Sequence, residues 1–123
     1  QQGDEVLKQV AVALQGAVRV EDFVARYGGE EFILLLPDTA GESVKLAAER
    51  VRAAVENNRV KHLTNPGETL QVTASFGGVS VNPAAFKTDL DLTSIIEIAD
   101  QNMYEAKKGG RNRVVVSALN KAS

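Results

Sequence analysis

The sequence contains no cysteine and no tryptophan, a single methionine, a single histidine and three prolines. Without cysteine, disulfide staples and thiolate metal sites are excluded. The continuous aliphatic run Ile33 to Leu36 is far too short to cross a bilayer, and no signal-peptide pattern opens the chain, so the expectation is a soluble, cytoplasmic domain without membrane contact. Excess basic charge is also missing. A formal net charge of −2 and a pI near 5.4 argue against a general DNA or RNA binder, so any phosphate site must be local. One local basic cluster exists, with Lys107, Lys108, Arg111 and Arg113 close together.

What is present fits one compact domain. The 123 residues, 44% hydrophobic and 24% charged, suffice for a single core. From Glu5 to Val18 apolar residues recur at three and four, which predicts an amphipathic helix capped by Asp4. Asp22 to Tyr27 alternates as a strand, and Phe32 to Leu36 is continuously apolar, as expected of a strand buried on both faces. Gly28-Gly29 between them signals a hairpin turn, because glycine supplies positive φ without steric cost. A second helix is expected from Gly41 to Asn57, then a strand from Leu70 to Val81 with a bulge or bend at Gly77-Gly78. A third helix runs from Leu92 to Lys108, with Ser94 to Glu97 as a capping box, and Val114 to Val116 forms a last strand. The fold class is α+β, with helices packed on a mainly antiparallel sheet. The first helix has no preceding strand to pack on, so one strand is expected to be missing and the chain to be a piece of a longer polypeptide.

Two carboxylates, Glu30 and Glu31, follow the glycine pair at the hairpin. Such a tip suits a hard divalent cation, since Mg²⁺ takes oxygen ligands and keeps waters and substrate phosphates in its shell. A solvated polar turn is the alternative.

The stretch Arg26-Tyr27-Gly28-Gly29-Glu30-Glu31-Phe32 resembles the signature of the GGDEF family, the diguanylate cyclases, in its GGEEF form. Three more blocks agree in order. These are Gly3 to Leu7, Val72 to Gly78 and Ala99 to Arg113, so the resemblance covers about residues 3–116 of a domain taken as 1–123. It implies a nucleotidyl-cyclase-like fold with a ferredoxin-like core. It also implies condensation of two GTP to cyclic di-GMP with release of two pyrophosphates, in bacterial second-messenger signalling. Each domain would hold one GTP, so a homodimer is implied. By this resemblance Glu30 binds Mg²⁺ or Mn²⁺, Glu31 assists the metal or activates the 3′-hydroxyl, and Gly28 and Gly29 let the nucleotide lie against the hairpin. Asp4 reads guanine, unless it caps the helix. Lys107 and Arg111 match the family's terminal-phosphate pair, with Arg26 as an auxiliary; complementing the helix dipole is the alternative for the two α-helix-end cations.

Arg19 and Asp22 form an RxxD pattern at the spacing before Gly28 where the family carries its product-inhibition site, and Arg50 matches a secondary arginine for the same ligand. Arginine can bind guanine O6 and N7 bidentately while aspartate accepts from the opposite edge. The family also begins with an upstream strand bearing a metal-binding aspartate, a Phe-Lys pair and a guanine-reading asparagine, none of which is in these residues. The expectation is therefore the C-terminal portion of the domain, with swapping of a strand between two copies as one way to complete it. Loss of catalysis, leaving a cyclic di-GMP receptor or a dimerisation module, is the competing reading. His62, the lone histidine, is assigned no role.

Overall fold

The computed structural model describes residues 2–28, 31–81 and 92–119. The chain starts in helix α1 (Gln2–Ala17), passes through the strands β1 (Phe23–Gly28) and β2 (Glu31–Leu35), and enters helix α2 (Glu42–Asn57). Three strands follow, β3 (Arg59–Lys61), β4 (Thr69–Gln71) and β5 (Phe76–Val81), then helix α3 (Leu92–Lys108) and strand β6 (Val114–Leu119). All three expected helices form, and the class is α+β. Strand β3 was not expected: its three residues carry almost no period, and β4 recruits them as an antiparallel partner.

Among the described residues the strands form three separate pairs, β1–β2 and β3–β4 antiparallel and β5–β6 parallel. Leu14, Val51 and Val55 form the buried core between α1 and α2, and Val10, Val24, Phe32, Leu34 and Phe76 pack around it. These are the positions that the three-and-four spacing of α1 and α2 brings to one face. In the hairpin the core faces Val24, Phe32 and Leu34, while Phe23 and Leu35, paired across the strands, are 64% and 61% exposed. The expectation that residues 32–36 are buried on both faces is thus corrected. Only one face of β2 has a helix layer against it.

The glycine pair in β5 also serves a purpose other than the expected bend. β5 and β6 keep an unbroken register from Phe76 opposite Val114 to Val81 opposite Leu119, so no bulge occurs at Gly77-Gly78. Instead, a Cβ on Gly77 would meet the backbone of Ala99 and Met103 in α3, and one on Gly78 would stand 3.9 Å from Val44 of α2. The alternating faces of β5 are therefore clamped between two helices. The strand is instead interrupted earlier, at residues 72–75, dividing the expected strand into β4 and β5.

Asp4 lies in the first turn of α1, because the helix already starts at Gln2; it supplies negative charge near the dipole's positive end without standing at the capping position. Ser94 is likewise inside the first turn of α3, which starts at Leu92, so the expected capping box is displaced. The N-terminus of α2 is closed from a distance. Gly41, at φ 58°, caps it without a side chain, and the buried Ser80 hydroxyl of β5 accepts the Gly41 N–H at 2.6 Å. Ser80→Ala leaves that donor unpaired, and a loss of about 1–2 kcal/mol is expected from urea unfolding.

Candidate active site and nucleotide-binding cavities

The faces that pack α1 against the hairpin leave a groove of about 820 Å³ between them. Asp4, Lys8 and Gln15 recur along α1 at helical spacing and reach the groove with Leu7 and Ala11, while the hairpin contributes Val24, Arg26 and Phe32. An apolar floor with acidic and basic groups around it suits a flat ligand with polar edges. Asp4 and Arg26, far apart in sequence, are brought together here. Phe32 marks where the GGEEF stretch joins this groove.

The hairpin also carries a bulge that was not expected. Arg26 pairs with Phe32 and Gly28 with Glu31, so Tyr27 is an extra residue on β1 with no partner. Gly28 ends β1 and Glu31 begins β2; Gly29 and Glu30 lie outside the described residues. Among the described residues no cluster of three or more acidic or histidine side chains is assembled for a metal ion. The adjacent carboxylates Glu30 and Glu31 of the sequence are hard oxygen donors of the kind that Mg²⁺ and Mn²⁺ take.

A second cavity, about 260 Å³, lies where the turn after α1 meets α2, lined by Arg19, Asp22, Asp38, Thr39 and Arg50 among others. Asp22 is buried. Its Oδ2 accepts the backbone N–H of Arg19 at 2.8 Å and stands 3.6 Å from Arg19 Nε, whereas Oδ1 has no hydrogen-bond partner among the described residues. Arg19 Nη2 donates to the Pro37 carbonyl at 3.1 Å and to Thr39 Oγ1 at 2.5 Å. Arg50 Nε donates to the Ala17 carbonyl at 2.8 Å, closing the end of α1. The three residues expected to share one ligand do share one cavity.

Lys107 and Arg111 sit at the end of α3 and line neither cavity. The helix gives way through Gly110 at φ 124°, Arg111 at φ 64° and Asn112 at φ 45°, while the Arg111 N–H returns to the Ala106 carbonyl at 3.0 Å. Sequence reading missed what holds this turn. Arg52 on α2 donates to Glu49 at 3.0 Å, to Glu56 at 3.3 Å and to Asn112 Oδ1 at 2.9 Å, and Asn112 Nδ2 donates to Glu56 Oε2 at 2.5 Å. The acid-base-acid spacing of Glu49, Arg52 and Glu56 was visible as a helix-face pattern, but its long-range partner was not. His62, for its part, has a local role, its Nδ1 accepting the Asn65 N–H at 3.1 Å in the β3–β4 turn.

The bonds from Asn112, first, and Arg52 hold the Glu56 carboxyl below its ordinary 4.5. The unfolded chain, with an ordinary carboxyl, then takes the proton first as pH falls. The contribution of Glu56 is complete above about 4.5 and lost as pH drops through the lower folded value. Urea unfolding between pH 6 and pH 3 is expected to show a steeper loss in the parent protein than in Glu56→Gln.

Among the described residues, then, the chain is an α+β domain of three helices and three strand pairs, with a glycine-ended hairpin beside a groove that carries acidic and basic groups. The chain belongs to the GGDEF family: the family described as "Diguanylate cyclase, GGDEF domain" matches residues 1–113. It is 41% identical over 119 residues to diguanylate cyclase A of Treponema denticola, covering 96% of this chain and 30% of that protein. The chain thus spans under a third of that relative's length. Among solved structures, the diguanylate cyclase SiaD of Pseudomonas aeruginosa, in complex with its activator SiaC, superimposes with a TM-score of 0.80 at 35% identity, over 93% of this chain and 41% of SiaD. The GGDEF domain of DgcB from Caulobacter crescentus, solved in complex with c-di-GMP, gives 0.78 at 33% identity, over 93% of this chain and 64% of that one.

Proposed function

We propose that this chain is the C-terminal portion of a diguanylate cyclase domain that condenses two GTP into cyclic di-GMP. The observation that carries the reading is the family match, supported by the hairpin: β1 ends at Gly28, β2 begins at Glu31, and Arg26 and Phe32 of that hairpin line the groove with Asp4. In the reaction each 3′-hydroxyl gives up its proton, with Glu31 as the candidate acceptor, and its oxygen bonds to the α-phosphorus of the other GTP while the bond from that phosphorus to the β-phosphate bridge breaks and pyrophosphate leaves. Two facing domains are required. A divalent ion held through Glu30, with Glu31 assisting, supplies electrostatic stabilisation of the phosphates. Asp4 accepts the N1–H and N2–H of guanine, Gly28 and Gly29 admit the nucleotide to the hairpin, Lys107 and Arg111 bind its terminal phosphates, and Arg26 assists.

Unpaired strand edges support the view that a further strand completes the sheet, from this polypeptide or a second copy. Among the described residues β2 pairs only with β1 and β5 only with β6.

The Arg19, Asp22 and Arg50 cavity is read as the inhibitory product site. Its unpaired Asp22 Oδ1 favours a ligand with N–H donors, which guanine offers.

The test is incubation with GTP and Mg²⁺, with product detected by mass spectrometry and GTP binding measured by calorimetry. Cyclic di-GMP is expected from protein in which a further strand completes the sheet, and little or none from these residues alone. A chain that binds cyclic di-GMP but neither binds nor turns over GTP would establish the receptor reading instead.

A further inference from the structure

We propose that Arg52, Glu56 and Asn112 are positioning residues, which hold the turn after α3 so that Arg111 meets the terminal phosphates of the nucleotide. The proposal rests on the GTP-binding reading above and extends it to side chains on α2. Non-glycine residues at positive φ are costly, and two in succession persist only where the surroundings fix them. Here Arg111 at φ 64° and Asn112 at φ 45° follow Gly110 at φ 124°. The backbone is held on both sides of Arg111, by its own N–H to Ala106 at 3.0 Å and by the Arg113 carbonyl accepting the Phe76 N–H at 2.9 Å. Between these points, among the described residues, the Asn112 side chain links the turn to α2.

That link is double. Arg52 Nη1 donates to Asn112 Oδ1 at 2.9 Å, and Asn112 Nδ2 donates to Glu56 Oε2 at 2.5 Å, so the amide is held through both of its polar atoms. Arg52 is itself fixed by Glu49 at 3.0 Å and Glu56 at 3.3 Å, with its side chain 19% exposed. Because each charged group is hydrogen-bonded to the next, the guanidinium and carboxylate serve the turn and are not spread over solvent. Arg111, in contrast, is exposed. A phosphate-binding cation on a pinned backbone loses less freedom on binding than one on a loose turn.

Asn112→Gly is the sharpest variant, since glycine adopts φ 45° without strain and removes only the side-chain link. Wild type, Asn112→Gly, Arg52→Met and Glu56→Gln are compared by calorimetry with a non-hydrolysable GTP analogue and with GMP, and by amide hydrogen exchange across residues 109–113. In Asn112→Gly and Arg52→Met the analogue is expected to bind about tenfold more weakly and GMP unchanged, with faster exchange in the turn. Glu56→Gln, which keeps an acceptor for Asn112, stays close to wild type. The proposal is overturned if exchange is unchanged, if it quickens while the analogue still binds normally, or if analogue and GMP weaken equally. Wild-type protein that fails to bind the analogue removes the GTP reading itself, an outcome distinct from the other three.

Discussion

Gly77→Ala is expected to lower the thermal unfolding midpoint by about 10 °C or more, corresponding to a loss of about 3 kcal/mol or more. A Cβ at this position would collide with the Ala99 carbonyl oxygen and the Met103 nitrogen and stand 2.7 Å from the Met103 Cα. These are backbone atoms of α3, so no side-chain rotation relieves the contact. Either the helix lifts off β5 or the strand moves away from β6. The first movement pulls on Asn102, whose Nδ2 donates to the Gly78 carbonyl at 2.8 Å and to Ser117 Oγ at 2.9 Å. Gly16→Ala in α1 is the natural control, since nothing lies within 4 Å of its added Cβ and a gain of up to about 0.5–1 kcal/mol is expected there. Equal midpoints for Gly77→Ala and the parent protein would show that α3 does not rest on this glycine.

Asp22→Ala is expected to weaken cyclic di-GMP binding about a hundredfold, measured by calorimetry, and Arg19→Ala at least tenfold. The difference follows from burial. The Asp22 side chain is 1% exposed and presents an oxygen with no partner among the described residues, whereas that of Arg19 is 47% exposed and already engaged with Pro37 and Thr39. A ligand that donates to Oδ1 relieves a buried carboxylate oxygen, and removing the carboxylate forfeits that gain along with the charge. A guanine edge read by one such pair contributes about 1–3 kcal/mol, and tenfold in affinity corresponds to about 1.4 kcal/mol. The aspartate also accepts the Arg19 N–H, so circular dichroism melting accompanies the titration to separate a loosened turn from a lost ligand contact. Unchanged affinity in both folded variants would refute the inhibitory-site reading. In a cyclase the same variants are expected to continue synthesis at product concentrations that arrest the parent enzyme.

The helices were legible because their signal is local and repeated. Leu14, Val51 and Val55 lie where the spacing put them, and α3 keeps both expected ends. The hairpin was legible from its glycines, but the bulge at Tyr27 was not, since it arises from the register of Arg26 with Phe32 and Gly28 with Glu31. Burial of β2 was overread: an apolar run records what a strand tolerates, and only the neighbouring layer decides which face is covered. For the candidate sites the motifs carried the residue types, with Asp4, Arg26, Lys107 and Arg111 named from sequence alone. Arg52, Glu56 and Asn112 were beyond it, because Arg52 meets Asn112 across 60 positions of chain.

Residue spacing by itself determined the three helices and their buried faces, and the motif resemblance gave the family, since these depend on near neighbours and on contiguous stretches. Tertiary structure decided the rest. It showed that Gly77 serves helix contact and not a bend, that Asp22 buries an oxygen with no partner among the described residues, and that α2 holds the turn bearing Arg111. Each of these depends on which distant backbone arrives within bonding distance, and no periodicity along a chain encodes that.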